Sequence, residues 1–221
     1  MSRQALVIGL GQFGAAVARS LTEQGVEVLA VDRRPERVQA AAEFAADALC
    51  IDAMAEDSIA QLAPTRRDVC VVAIGDESRE ASIMTTALLR QIGAPRISAR
   101  ATGPLHERIL RLVGAHEVVH PERSFGERLA VRLSHDGILE MVPLGEDLVI
   151  TELTLPPAFV GRNLLELALP RRHKVTVVAI RRQDGRVGRL ILPDPQAPLQ
   201  DGDVLVVVSP PSAATELADR Y

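Results

Sequence analysis

The chain has 221 residues, of which 47% are hydrophobic and 24% are charged, a composition typical of a globular protein with one large domain or two smaller ones. Only 2% of the residues are aromatic, and the chain has a single lysine and a single tyrosine, Lys174 and Tyr221. This argues against catalysis by a Tyr and Lys pair held in one pocket. The 25 basic and 29 acidic side chains give a net charge of −4 with no basic stripe, which argues against binding to nucleic acid or directly to anionic lipid. We expect a cytoplasmic protein without membrane insertion, because the apolar runs have strand length and the N-terminus lacks a signal-peptide pattern.

The first part of the chain alternates short β-rich runs with segments of helical periodicity, which is typical of parallel βαβ units. The predicted strands are Ala5–Ile8, Val26–Val31, Ala48–Ile51, Val69–Ile74, Arg96–Ala99 and Glu117–Val119. The predicted helices are Gln12–Gln24, Pro35–Phe44, Glu56–Leu62, Arg79–Ile92, Pro104–Val113 and Arg123–Leu133. This order predicts an α/β fold with a Rossmann-like, doubly wound parallel sheet over residues 1–134.

The second part of the chain differs in composition from the first, because most prolines of the whole chain lie beyond residue 138. A linker is predicted around Ser134–Ile138, followed by a small α+β domain over residues 139–221 that dimerises or docks to complete its core. Its predicted strands are Leu148–Leu155, Val175–Arg181, Leu190–Leu192 and Val204–Ser209, with a hairpin turn at Gln183-Asp184-Gly185. Its predicted helices are Arg162–Leu167 and Ser212–Arg220.

A glycine-rich turn, Gly9-Leu10-Gly11-Gln12-Phe13-Gly14, directly follows the first strand and opens the first helix. In such a turn the first glycine permits the tight bend, the second lets the backbone approach a pyrophosphate, and the third lets the helix pack closely on the strand. The helix N-terminus then holds the anion with its N–H groups and its dipole. The pattern predicts a nucleotide site, against the alternative of a turn that only packs the helix on the strand.

Acidic and small residues end the neighbouring strands of the predicted sheet. Asp32 ends the second strand, where it would accept hydrogen bonds from ribose hydroxyls and so favour a free 2′-OH over a 2′-phosphate. Arg33 beside it weakens that preference. Asp52, followed by Ala53, either contacts adenine or ribose or caps the next helix. The fourth strand ends in a segment that we expect to contact the ligand through its backbone, Ala73-Ile74-Gly75.

Several other polar residues have two interpretations from the sequence alone. Ser78 either binds phosphate or caps a helix, and Cys50 and Cys70 are expected to be buried core residues. His120 and Glu122 either hold a metal ion or only flank a strand end and a helix start. Lone surface positions are expected for the remaining histidines, His106, His116, His135 and His173.

Eight segments together resemble the RCK or KTN regulatory proteins, of the TrkA and KtrA type, which are cytosolic subunits of Trk and Ktr potassium uptake systems. Those in the first part are VIGLGQFG (7–14), VLAVD (28–32), VVAIGD (71–76), ILRLVGAH (109–116) and VVHPERSFG (118–126). Those in the second part resemble the companion RCK C-terminal domain: LTLPPAFVGRNLLEL (153–167), VVAIRRQDG (177–185) and LQDGDVLVVVS (199–209). The HPE and GDVLVVV segments are more specific to the family than the glycine turn is.

The resemblance implies a homodimer that assembles into an octameric ring, binds adenine nucleotide in each N-terminal domain and gates a membrane potassium-channel subunit. It assigns ribose and phosphate binding to Gly9, Gly11, Gly14 and Asp32. It also implies that Arg100 reaches the terminal phosphate. Near the nucleotide phosphates, Glu122 would help to bind a divalent cation, Mg²⁺ or Ca²⁺, across the dimer.

Two departures from the family pattern bear on the ligand. Gln12 stands where many ATP-responsive members have arginine, and a neutral amide does not neutralise a γ-phosphate, so ADP or NAD(H) suits the turn as well as ATP. Residues 167–172 match poorly the pattern that binds cyclic di-AMP in some relatives, which does not favour that ligand.

Two other functions remain open from the sequence. An NAD(H)-dependent oxidoreductase uses the same glycine turn, but it needs a proton donor or a metal beside the nicotinamide, and no such constellation is visible. An RCK-type module could also regulate a different transporter. Nucleotide binding without visible chemistry favours a non-enzymatic switch whose two conformations bind nucleotides differently.

Overall fold

A computed structural model describes residues 2–75, 78–184 and 187–221, and the side chains of residues 183–187 are not described. The chain forms two compact units, Met1–Pro121 and Glu122–Tyr221. Among the described residues, no helix is both long enough and apolar enough to cross a membrane.

The first unit is built on a sheet of six parallel strands in the order β3-β2-β1-β4-β5-β6. The strands are β1 (Gln4–Ile8), β2 (Glu27–Asp32), β3 (Asp47–Cys50), β4 (Val69–Val72), β5 (Ile97–Arg100) and β6 (Glu117–Val119). The helices between them are α1 (Gln12–Glu23), α2 (Pro35–Ala41), α3 (Glu56–Gln61), α4 (Arg79–Ile92) and α5 (Pro104–Leu112), with a 3-10 turn at Pro64–Arg66. The predicted doubly wound sheet is therefore confirmed.

Hydrophobic clusters cover both faces of this sheet because alternate residues of each strand point to opposite sides. In β1, Ala5 and Val7 pack with residues of α1 and α2, such as Ala18 and Ala41. Leu6 belongs to the other cluster, which continues into the remaining helices through Ile59, Leu62, Leu88, Leu89 and Leu110. The strand ends are thereby fixed between two helical layers.

The second unit has a five-stranded antiparallel sheet in the order β10-β9-β11-β8-β7. Its strands are β7 (Ile138–Leu144), β8 (Leu148–Thr154), β9 (Thr176–Asp184), β10 (Val187–Ile191) and β11 (Val204–Ser209). Its helices are α6 (Pro121–Ser134), α7 (Leu164–Leu167), α8 (Leu169–His173) and α9 (Pro211–Arg220), with a 3-10 turn at Pro157–Phe159. The expected α+β character is confirmed, and Gly185 of the predicted hairpin turn lies outside the described residues.

The division between the units lies earlier in the chain than the predicted linker. Only Pro121 of α6 counts with the first unit, and Val131 of this helix packs with Ile138 and Met141. Arg128 and Arg132 of the same helix are paired with Glu140 of β7. Much of the segment expected to be a linker is instead a turn leading into β7.

Candidate nucleotide-binding site

The predicted site residues gather at the point where the strand order of the parallel sheet reverses, between β1 and β4. Ligands of open α/β sheets bind in the crevice outside the carboxyl ends of the strands at such a point. Gly9 follows β1 and donates its N–H to Val31 O at 2.8 Å, and Ala73 follows β4 and donates to Ile8 O at 2.8 Å. The glycine turn and the end of β4 are thus held side by side.

The three glycines of the turn are required for different reasons. Gly9 has φ +93°, in the left-handed region, and a Cβ there would lie 2.9 Å from Ile74 N. A Cβ on Gly14 would overlap the carbonyl oxygen of Gly9 and lie 2.9 Å from Ala73 Cβ. Gly11 has φ −65°, which any residue adopts, and the nearest atom to a Cβ there is Arg37 Nη1 at 3.9 Å. The fold therefore requires glycine at positions 9 and 14 but not at position 11.

The N-terminus of α1 begins at this turn. Gly11 is the N-cap residue, with no side chain to satisfy the first N–H groups, and the first turn of the helix carries no acidic residue. Gln12 is exposed, whereas Phe13 is half-buried and packs with the cluster on the α1 face of the sheet. An uncapped N-terminus without acidic side chains favours an anion.

Asp32 ends β2 as a buried carboxylate with three donors around it. It accepts the Leu10 N–H at 2.6 Å and the Arg34 N–H at 2.9 Å. Arg37 Nη1 lies 3.4 Å from Asp32 Oδ2, and only 5% of the Asp32 side chain is exposed. Asp32 thus ties the glycine turn to β2 in addition to its predicted contact with ribose. Arg33 is exposed beside it.

The predicted residues after β3 occupy the neighbouring edge of the same crevice. Ala53 is buried, and its carbonyl oxygen accepts the Thr85 hydroxyl at 3.0 Å. Asp52 is exposed and accepts the Met54 N–H at 3.0 Å. The capping interpretation of Asp52 is wrong, because the N-cap residue of α3 is Ala55. The ligand role of Asp52 stays a prediction.

Arg100 and the segment after β4 lie together at the carboxyl ends of β4 and β5. Ala73 is buried, whereas Ile74 and Gly75 are half-buried. A Cβ on Gly75 would lie 2.5 Å from Arg100 Nη1, so the guanidinium lies directly over the Gly75 backbone. The structure thus places a cation at this strand end, as the predicted phosphate contact requires.

Glu122 lies in the first turn of α6, two residues after His120. His120 Nε2 contacts Glu107 Oε2 at 2.7 Å. Arg111 and His120, which hydrogen-bond to the Glu107 carboxylate, hold its pKa below the ordinary value. Among the described residues of one chain, no group of three or more His, Cys, Asp or Glu side chains could hold a metal ion. The cation site at Glu122, which the family resemblance implies across a dimer, stays a prediction.

Contacts and burial decide the predictions for Ser78, for the two cysteines and for His106. Ser78 caps α4 by accepting the Ala81 N–H at 3.1 Å. Cys50 is exposed, contrary to expectation, because β3 is an edge strand, whereas Cys70 is buried as expected. His106 is also buried rather than on the surface, because it lies on the core-facing side of α5.

Arg37 was not among the site residues predicted from the sequence. Arg33 was predicted because it is adjacent to Asp32, but the arginine side chain that reaches Asp32 comes from the first turn of α2. Side chains in a helix are inclined toward its N-terminus, which points a residue at this position back to the end of β2. That inclination is the signal that identifies Arg37.

Both parts of the chain match domains of known proteins. Residues 5–121 match the TrkA-N domain and residues 148–220 match the TrkA-C domain. Ktr system potassium uptake protein C of Bacillus subtilis is 32% identical over 210 residues, covering 94% of this chain and 92% of that protein. Ktr system potassium uptake protein A of Vibrio alginolyticus is 34% identical over 208 residues, covering 94% and 93%.

The fold also matches solved structures. The GsuK channel superposes with a TM-score of 0.70 at 20% identity, covering 100% of this chain but only 39% of the channel chain. The GsuK channel bound to NAD superposes with a TM-score of 0.69 at 20% identity, covering 99% and 39%. From the two domain matches and the two Ktr relatives together, the chain belongs to the TrkA-N and TrkA-C domain family of potassium uptake proteins.

Proposed function

We propose that this protein is a cytoplasmic, nucleotide-sensing regulatory subunit that gates a membrane potassium channel or transporter. Its first unit binds an adenine nucleotide, and the conformational change that follows passes to a membrane partner of the Trk or Ktr type. The observation that carries the proposal is the open surface over Gly11 at the N-terminus of α1.

A turn that served only to pack a helix on a strand would need glycine at positions 9 and 14 alone. At position 11 neither the backbone conformation nor the surrounding atoms require glycine. Glycine costs backbone entropy, so its presence there fits a group outside the chain that comes close to the backbone. A pyrophosphate over an uncapped helix N-terminus is such a group.

The surrounding charges favour an adenosine diphosphate unit as the ligand. Asp32 ends β2, the strand end at which folds of this kind bind the ribose, and Arg100 lies over the Gly75 backbone. Gln12 supplies no charge for a γ-phosphate, so ADP and NAD(H) should bind about as tightly as ATP. Relatives of this fold include a GsuK channel bound to NAD and a GsuK bound to ADP.

A regulatory role fits this site better than catalysis does. The relatives are named as potassium uptake proteins, and a nucleotide that binds two conformations with different affinities shifts their equilibrium without a chemical step. The alternative is an NAD(H)-dependent oxidoreductase. It differs in a measurable way, because it would oxidise or reduce the bound cofactor.

The proposed homodimer, as the unit of an octameric ring, is supported by α6. None of the 14 residues of this helix is buried within one chain. Phe125, Leu129 and Leu133 repeat at a spacing of four and are 56%, 36% and 76% exposed. An apolar stripe of this kind is typical of a helix that packs against a partner. The same assembly would bring Glu122 near a second subunit, where Mg²⁺ or Ca²⁺ could bind.

Thermal unfolding with ATP, ADP, NADH and NAD, each with and without Mg²⁺ or Ca²⁺, tests the nucleotide part of the proposal. Adenine nucleotides should raise the melting temperature, and no NADH should be consumed. The sharpest variant is Gly11→Ala, which should fold but lose the shift, because its methyl group occupies the surface that the pyrophosphate approaches. Gly103→Ala is the matched control, since Gly103 is the N-cap residue of α5 with an extended backbone and a Cβ there meets no described atom within 4 Å.

A wild-type protein that no adenine nucleotide stabilises, or a Gly11→Ala variant that binds normally, would contradict the proposal. Consumption of NADH would favour the oxidoreductase instead. For the partner, the protein should co-purify with a membrane potassium-channel subunit. Recovery of a different transporter would indicate an RCK-type module with another target.

A further inference from the structure

Arg37 is the nearest cation to the open surface over Gly11. It lies in the first turn of α2, and its Nη1 atom is 3.4 Å from Asp32 Oδ2 and 3.9 Å from the position of a Cβ on Gly11. The side chain is 27% exposed, so most of it is held by the protein. Arg33 and Arg34 differ, because Arg33 is exposed and Arg34 contacts Asp32 through its backbone N–H.

The Arg37 guanidinium beside Asp32 reduces the electrostatic repulsion between this carboxylate and a phosphate bound nearby. A carboxylate with 5% exposure repels a phosphate placed nearby, and that repulsion is strong where water is excluded. A guanidinium beside both groups offsets it. A guanidinium also has five N–H donors in one plane, so the group that contacts Asp32 can donate to a phosphate oxygen as well.

We propose that Arg37 is a specificity-determining residue that binds the 5′-phosphate next to the adenosine ribose, supplying from α2 the positive charge that Gln12 does not supply from the glycine turn. This inference rests on the proposed nucleotide site. It implies that the site selects 5′-phosphorylated adenosine, the part shared by AMP, ADP, ATP and NAD(H), and discriminates little by what lies beyond the second phosphate.

The position of Gly11 indicates the 5′-phosphate rather than a 2′-phosphate. The second glycine of such a turn faces the pyrophosphate, whereas the 2′ position lies beyond the acid that ends the second strand. The 3.9 Å separation between Arg37 Nη1 and the Cβ position of Gly11 places the cation on the pyrophosphate side of Asp32.

Calorimetric titration of the full chain tests the inference with adenosine, AMP, ADP, NADH and NADPH as ligands. Arg37→Gln should weaken AMP, ADP and NADH by about ten- to a hundredfold, the cost of one charged hydrogen bond, and leave adenosine within about twofold. Arg37→Lys should recover part of the loss. The salt dependence of ADP binding should also decrease in Arg37→Gln, an effect that a purely structural role would not produce.

Arg96→Gln is the matched control, because Arg96 forms an exposed ion pair with Glu117 at the opposite end of β5. Unchanged ADP affinity in Arg37→Gln, or equal losses for adenosine and ADP, would overturn the inference while leaving the nucleotide site itself intact. Tighter binding of NADPH than NADH that disappears in Arg37→Gln would overturn it in favour of a 2′-phosphate contact. A wild-type protein that binds none of the five ligands would overturn both this inference and the proposed function.

Discussion

Asp32 is buried and accepts two backbone N–H groups, which limits what can be learned by removing it. A variant at this position would release Leu10 and Arg34 from their anchor and disturb the glycine turn together with any ribose contact. Loss of binding in such a variant would therefore have two explanations. Gly11 and Arg37 are more informative positions, because the backbone of the turn needs neither glycine at position 11 nor the Arg37 side chain.

Gly14→Ala should destabilise the protein, in contrast to Gly11→Ala. The added methyl group would overlap the Gly9 carbonyl oxygen and press on Ala73 Cβ, and both atoms belong to a close-packed region. We expect the free energy of unfolding to fall by about 3 kcal/mol for Gly14→Ala and by less than about 1 kcal/mol for Gly11→Ala. Urea denaturation measures both values. Equal losses would show that Gly11 is also a packing residue.

The glycine turn and Asp32 could be predicted from the sequence because their spacing along the chain defines them. The spacing could not separate the three glycines, since the need for each depends on atoms of β4 and α2. Arg37 lies five residues after Asp32, where only the inclination of a helical side chain brings it back.

At the scale of elements, the edge strand β7 was not predicted from the sequence. It contains Pro143, which lacks the N–H needed in a central strand, and proline favours a loop in a sequence-based assignment. The structure places β7 at the edge of the antiparallel sheet, where one side of the strand needs no partner. Helix α8 was missed because it has only five residues, between Ala168 and Lys174 in left-handed conformations.

An ion pair links Arg182 of β9 to Asp203, the residue directly before β11. Arg182 donates to Asp203 through Nε at 2.9 Å and through Nη2 at 2.7 Å, and Asp203 also accepts the Gln200 N–H at 2.8 Å. Burial raises the pKa of Asp203, but the hydrogen bonds from Arg182 and Gln200 outweigh it, so the pKa lies below the ordinary value. The carboxylate is therefore charged in the folded protein.

Asp203→Asn should lower the free energy of unfolding by about 2 kcal/mol at neutral pH, because it removes a charged hydrogen-bond acceptor. Since the folded-state pKa is depressed, the contribution of Asp203 is present above the ordinary aspartate value of about 3.9 and is lost as the pH falls below it. The difference between wild type and variant should therefore shrink in acid. Denaturation at several pH values measures it, with the exposed neighbour in Asp201→Asn as control. A difference that does not depend on pH would contradict the role of the ion pair.

At the scale of the whole molecule, each unit has hydrophobic clusters of its own, and α6 lies almost entirely in the second unit. The sequence could not show this, because α6 follows β6 in the same alternation as the preceding helices follow their strands. The packing of α6 with β7 assigns the helix to the second unit, and β7 was not predicted because it contains Pro143.

The double variant Phe125→Asp with Leu133→Asp should shift the protein from dimers or larger assemblies to monomers. The substitutions place charges on the exposed stripe of α6, where a partner helix would bury them without compensation. Size-exclusion chromatography with light scattering measures the mass. Leu192→Asp is the control, because Leu192 is 86% exposed and lies outside α6. An unchanged mass in the double variant would place the subunit contact elsewhere.

The exposure of Cys50 gives this protein a natural attachment point for a reporter group. The register of the sheet puts Cys50 beside Asp32, and its Sγ lies 3.5 Å from the Arg33 carbonyl oxygen. The second thiol does not compete, because burial raises the pKa of Cys70 to about 12 and closes it to maleimides at neutral pH. A fluorophore attached to the unmodified sequence would thus stand at the rim of the candidate pocket, where its emission could follow ligand exchange in real time.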